Sequence, residues 1–186
     1  MTVEPAPTRN SGAEELRTER LLLCRPAPED LDAIFALHTD PVACEHNPSD
    51  LIETRKEAEL LLLRWSHQWD RYGFGYWTVR RQDSPEPLGF CGVKIVGFRR
   101  HAVLNLFYRF FPFSWGAGYA SEAATAAVDW ARTHRPDDVV IARVRPENVA
   151  SQRVALRAGL LRADEFDTPG DDGADWFYCS QDDQED

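Results

Sequence analysis

At 186 residues, with 43% hydrophobic and 28% charged residues, the chain suits one soluble domain large enough to bury its own core. Its formal charge of −10 excludes a nucleic-acid surface, which needs clustered Lys and Arg, and fits a cationic acceptor such as an amine or a basic peptide. Four scattered cysteines without metal-ligand spacing, no bilayer-length apolar run and no basic-then-apolar leader predict a reduced, cytoplasmic protein with no metal and no membrane anchor.

Residues 1–15, rich in Pro, Ser, Thr, Asn and Glu, read as a disordered lead-in; 181–186 reads as an acidic tail, leaving a domain of 16–180. Arg20 to Arg25 is an apolar strand of the kind covered on both faces. Pro28-Glu-Asp opens a helix with Leu31, Ile34, Phe35 and His38 on one face. A second helix runs from Thr54 to Tyr72, with Ala58, Leu61, Leu62, Trp65 and Trp69 as its apolar stripe. Gly75–Arg81, Leu88–Val96 and Ala102–Phe110 are consecutive strands joined closely enough for antiparallel hairpins. An alanine-rich helix spans Tyr119 to Arg132, and Val139–Val144 is a buried strand. A short helix, Ala150–Ala158, ends at Gly159, and Leu160–Phe166 with Trp176–Cys179 make a final strand pair. The Asp171-Asp172 loop reads as solvated charge.

The chemistry concentrates at Gly116-Ala117-Gly118-Tyr119-Ala120-Ser121, where a glycine-containing loop opens a helix. Unpaired N–H groups at the positive end of a helix dipole bind phosphate. A plain turn is the alternative reading of the same glycines. Downstream stands Arg145-Pro-Glu-Asn148-Val-Ala-Ser151-Gln-Arg-Val154-Ala155-Leu156-Arg-Ala-Gly159-Leu160. Together the two segments resemble the acetyl-coenzyme A binding motifs of the GNAT N-acetyltransferase superfamily, and more closely those of the RimJ/RimL type of ribosomal-protein N-terminal acetyltransferase. Glu19-Arg-Leu-Leu-Leu-Cys-Arg-Pro26 and Gly73-Phe-Gly-Tyr-Trp-Thr-Val79 fit that type too, so the resemblance covers nearly the whole chain.

Periodicity by itself yields a mixed α/β domain. The resemblance implies a single GNAT-fold domain, α/β (α+β), with about four helices. Its seven-stranded, mostly antiparallel mixed sheet would be splayed between the fourth and fifth strands. It also implies acetyl-coenzyme A as cosubstrate, an amine-bearing acceptor such as a basic protein N-terminus, and a monomer or homodimer. Under it the pyrophosphate cradle is Gly116 to Ser121; peptide groups of Tyr108, Arg109 and Phe110 hold the pantetheine arm, and the Phe110 amide is the donor to the thioester carbonyl. Asn148 and Ser151 match the second motif, although both also suit a helix N-terminus.

Many superfamily members protonate the departing thiolate with a Tyr whose position here holds Ala155, leaving Ser151 as the candidate acid. Asn105 and Arg143 stand where relatives carry a glutamate base, and neither is an ordinary base at neutral pH. A lysine amine is roughly 99.9% charged at pH 7, whereas an α-amine is roughly 10% neutral, so the missing base favours an α-amine acceptor. Tyr76, Trp77 and His101 are further residues that would face an acceptor, or else pack in the core and on the surface. Four other readings remain open: an acetyltransferase of small-molecule amines, a Rossmann-type nucleotide site, a non-catalytic acyl-coenzyme A binding module, and an enzyme using a larger acyl donor.

Overall fold

The computed structural model describes residues 14–180; the acidic tail, and all but the last two residues of the expected lead-in, lie outside the described residues. Its strands are β1 (Glu15–Arg17), β2 (Leu21–Cys24), β3 (Tyr76–Arg81), β4 (Pro87–Phe98), β5 (His101–Phe110), β6 (Val140–Val144), β7 (Leu161–Arg162), β8 (Thr168–Gly170) and β9 (Gly173–Cys179). Its helices are α1 (Leu31–Thr39), α2 (Arg55–Tyr72), α3 (Tyr119–His134) and α4 (Val149–Arg157). The sheet runs β1-β2-β3-β4-β5-β6-β9-β7, with β8 attached to β9. Every pair is antiparallel except β5 with β6.

Both faces of the sheet are covered, which explains the unbroken burial of Tyr76, Trp77, Thr78 and Val79 on β3. On one face lie Ala123, Ala124, Ala127 and Ala131 of α3, small enough to bring the helix against Trp77, Leu104 and Leu106. On the other, Ile34 and Leu37 of α1 and Ala58 and Trp65 of α2 pack with Tyr76 and Phe90. The Thr54 hydroxyl accepts from the Glu57 N–H while Glu57 answers to the Thr54 N–H, a reciprocal cap that starts α2; Gly73 at φ 75° ends it.

Nine strands replace the expected seven because β1 and β8, three residues each, carry too little pattern to be read from hydropathy. The expected strand Leu160–Phe166 is cut to Leu161–Arg162: Asp164–Phe166 coils into a 3₁₀ turn, and the Phe166 ring turns in against Phe98 at 5.7 Å. The final strand starts at Gly173, three residues ahead of expectation. Pairing of Phe98 with His101 shrinks the β4–β5 connection to Arg99-Arg100, both at positive φ (43° and 72°), the twist that a two-residue hairpin requires.

The parallel pair positions the site. β5 and β6 are in register only at Leu104 with Val140 and Asn105 with Ile141. Beyond Asn105 they part, and the sheet opens. This is the expected splay between the fourth and fifth strands, now the fifth and sixth because β1 precedes them.

Candidate active site

The opening leaves β5 with unused peptide groups. The Phe111 N–H donates to the Leu88 carbonyl of β4, and the Leu104 N–H donates to Val139 on the β6 side. Alternation along the strand therefore points the N–H groups of Tyr108 and Phe110 into the splay, where β6 no longer pairs with them. The Phe110 carbonyl accepts from Trp115 Nε1 at 2.9 Å, so its N–H is the open half of that peptide position.

From there a groove of about 450 Å³ runs over the start of α3. It is lined by Tyr108 and Phe110 from β5, Gly116, Gly118, Tyr119, Ala120 and Ser121 from the loop and first helical turn, and Asn148 and Ser151 from α4. No side chain caps α3, so its first amides keep their N–H groups for a ligand. Gly116 and Gly118 sit at φ 80° and 82°. A Cβ at Gly116 would meet nothing within 4 Å, and one at Gly118 only the Arg20 guanidinium at 3.5 Å; the groove floor is bare backbone under open space. This fits a pyrophosphate, which needs close approach to amides. Ala117 is not part of the lining: its carbonyl accepts from Arg20 Nη1 at 2.9 Å, and Arg20 is held in turn by Glu122 and lies over the Tyr119 ring. Exposed Arg153 and Arg157 of α4 flank the groove, two cations that the sequence motifs did not single out.

At the inner end, two hydroxyls meet. The Tyr108 phenol donates to the Ser151 carbonyl at 2.8 Å and accepts from the Ser151 hydroxyl at 2.9 Å. Burial holds the phenol far above the usual tyrosine range, so it keeps its proton. Ala155, at the expected tyrosine position, is fully buried, and the phenol that meets α4 comes from β5 and sits against Ser151. Tyr108, read from sequence as a backbone contact, thus also brings a proton-bearing side chain. Asn148 is the N-cap of α4, its Oδ1 accepting from the Ser151 N–H at 2.9 Å, while its side chain also lines the groove.

Arg109 does not join the groove. Its position on β5 sends its side chain to the opposite face, where Nη2 donates to Asp50 at 2.6 Å. There it borders a polar recess of about 390 Å³ that includes Tyr108, Asn148 and Ser151 and continues the groove. Asn105 faces the same recess, its amide hydrogen-bonded to the buried Tyr76 phenol. Asp172, expected to be solvated, is 9% exposed: it accepts from the Ser49 N–H (3.1 Å) and hydroxyl (2.5 Å) and lies 3.5 Å from Arg145. Arg145 also donates to the carbonyls of His46 and Gly173 and pairs with Asp175 at 2.9 Å. The β8–β9 hairpin is clasped in this way to the loop after α1, roofing the recess.

Beyond it lies a chamber of about 1070 Å³ with Tyr76, Phe107 and Phe177 among its walls and Arg64, Lys94 and Arg143 on its lining. Tyr76 thus borders the chamber, whereas Trp77 lies in the α3-side core and His101 is exposed on the hairpin. Asp50, Asp172 and Asp175 are engaged with arginines, and Glu57 with the α2 cap, so these carboxylates are not free bases. Among the described residues no group of His, Cys, Asp and Glu could hold a metal ion, and no helix is long and apolar enough to cross a membrane.

A groove over an uncapped helix start, a splayed parallel pair and a second cavity that meets the groove at two hydroxyls suit the transfer of a group between two ligands. The Acetyltransferase (GNAT) domain family matches residues 20–161, and the chain belongs to that family. The uncharacterized protein YkkB of Bacillus subtilis (strain 168) is 30% identical over 148 residues, covering 78% of this chain and 84% of that protein. Spermidine N-acetyltransferase from Vibrio cholerae, solved with coenzyme A and spermine, has a TM-score of 0.69 at 18% identity, over 87% of this chain and 95% of that one. The ribosomal L7/L12 alpha-N-protein acetyltransferase RimL, solved with coenzyme A, has a TM-score of 0.67 at 17% identity, over 90% and 97%. At these identities the two structures share the fold.

Proposed function

We propose that the protein moves an acetyl group from acetyl-coenzyme A directly to the N-terminal α-amine of a peptide or protein. The observation that carries this reading is the junction of groove and recess at Tyr108 and Ser151. Bound acetyl-coenzyme A would supply the activated acyl carbon as a thioester. In this reading the amides of Gly116 to Ser121 hold the pyrophosphate, with Arg153 and Arg157 beside them. The Tyr108 and Phe110 amides orient the arm, the Phe110 N–H facing the carbonyl to be attacked. Ser151 Oγ, held beside Tyr108 Oη, stabilises the departing thiolate by a hydrogen bond, and the proton that the sulfur finally takes is the one the attacking amine releases, carried by water.

Among the described residues the recess offers the incoming amine no strong base: Asp50, Asp172 and Asp175 are paired with arginines, and Asp171 is an exposed carboxylate on the hairpin turn. Asn105 is bound to Tyr76, and His38, whose Nδ1 lies 2.9 Å from the Ile34 carbonyl, is held down to about 4 by burial and by Arg109. An α-amine, roughly 10% neutral at pH 7, loses its proton to water readily; a lysine or a polyamine, roughly 99.9% charged, does so less. RimL is named for an alpha-N-protein substrate and the Vibrio cholerae relative for spermidine, so both acceptor classes occur on this fold.

The test is release of free coenzyme A with peptides bearing free or blocked N-termini, free lysine, polyamines and aminoglycosides. Free-N-terminus peptides should turn over and their N-blocked, lysine-containing counterparts should not. Turnover of polyamines alone would replace the peptide reading. Tight acetyl-coenzyme A binding without turnover of any amine would leave a binding module.

A further inference from the structure

The net charge of the chain points to a basic acceptor, yet the chamber is lined the other way. Lys94 lies directly across from Asn105 in the β4–β5 register, and its Nζ stands 5.4 Å from the Tyr76 ring centroid. Arg143 follows Ile141, the β6 partner of Asn105, by two residues, and Arg64 comes from α2. Among the described residues neither Lys94 nor Arg64 has an ion-pair partner. The nearest carboxylate to Arg143, Asp175 at 3.8 Å, is already 2.9 Å from Arg145. The two acids on the chamber lining are committed as well: Asp50 to Arg109, and Glu57 to the cap of α2. Burial, with Arg64 and Arg143 next, holds the Lys94 ammonium below the usual lysine range, with Asp50 acting weakly against them. The recess beside Ser151 is mixed instead, with Asp50, Asp171, Asp172 and Asp175 set against Arg109, Arg143 and Arg145. The cations without a counter-ion of their own therefore lie farther out, in the chamber beyond the recess.

We infer that the acceptor peptide carries an acidic side chain at the second or third position from its reacting amine, its carboxylate received by Lys94 with Arg64 and Arg143. The spacing sets the position. Lys94 is level with Asn105, three residues along β5 from Tyr108, or about 10 Å of strand. An extended peptide spans that distance in about three residues, at roughly 3.3–3.6 Å each, or in fewer where the acidic side chain itself reaches part of the way. The carboxylate of a free amino acid, two bonds from its amine, falls short. This inference rests on the peptide acetyltransferase reading and gives it a substrate class.

The test compares kcat/KM for peptides with Glu, Gln or Lys at positions 2 and 3, together with free glutamate. Glu peptides should exceed Gln peptides by about tenfold or more, since a desolvated charge-assisted contact is lost with Gln. Lys94→Gln should narrow that ratio to within about twofold, and Arg64→Glu, on the exposed side of α2, should move the preference toward Lys peptides. Retained acetyl-coenzyme A binding shows that each variant is folded. Calorimetric binding of the N-acetylated product peptides gives a readout apart from turnover. Equal or better use of Gln or Lys peptides, or better use of free glutamate, would overturn the inference and leave the acetyltransferase reading standing. Should no amine turn over, that reading fails, and the product peptides decide this one: tighter binding of Glu than Gln, lost in Lys94→Gln, supports it, and equal binding overturns it.

Discussion

The groove over α3 and the chamber beside α2 are built from different materials. The groove is mostly backbone: two open amides on β5, a loop with two glycines at positive φ, and an uncapped helix start, all within one stretch from Tyr108 to Ser121. The chamber and its recess are mostly side chains, gathered from α1, α2, β4, β5, β6, the loop after α1 and the β8–β9 hairpin. A site made of backbone depends on conformation and tolerates many side chains. A site made of side chains depends on which residues are present and on what neutralises them.

The sharpest way to break this contrast is at Gly118. Asp is among the few residues that tolerate φ of 82°, so Gly118→Asp should fold while placing a carboxylate in the phosphate path. The rise in Tm caused by saturating acetyl-coenzyme A, worth about 2.7 kcal/mol at a hundredfold excess over Kd, should vanish. Next come the two hydroxyls at the junction. Ser151→Ala and Tyr108→Phe should each lower kcat by roughly ten- to a hundredfold with little change in KM for acetyl-coenzyme A. The double variant should lose far less than the product of the two, since the hydroxyls act through one hydrogen bond.

Acid should harm the chamber side through His38. His38 packs there, edge-on to Trp65, and is held at about 4 in the folded state against 6.5 as its ordinary value. The unfolded chain binds more protons between those values, so His38 contributes stability above pH 6.5 that is lost as pH falls toward 4. By pH 5 the loss should reach about 2 kcal/mol, seen as a fall in Tm that His38→Gln makes shallower. The smallest expected effect is at the clasp. Asp172→Asn, which keeps Arg145 paired with Asp175, should raise KM for the acceptor by about three- to tenfold and leave acetyl-coenzyme A binding unchanged.

The same contrast explains what could be read in the sequence. The order of helices and long strands, the apolar stripe of α2 and the cradle at Gly116 to Ser121 are local patterns, and periodicity or glycine spacing carries them. The meeting of Tyr108 with Ser151 is not local: 43 residues separate them, and only the fold shows that the phenol reaches α4. Asp172 read as solvent-exposed charge for the same reason, because its partners Ser49 and Arg145 come from other elements. The β5 alternation would have warned that Arg109 faces away from its neighbours Tyr108 and Phe110, and its buried pairing with Asp50 follows from that face.

The junction at Tyr108 and Ser151 also governs traffic. The two ligands approach it along different paths, one over α3 and the other through the chamber beside α2 and β4, so neither has to leave before the other arrives. No cysteine lines the groove, recess or chamber, and the acetyl group has no thiol on which to wait between arrivals. Under the proposed direct transfer, both partners are in place at once. Double-reciprocal plots of initial rate should intersect rather than run parallel, and the order in which the two ligands enter is free.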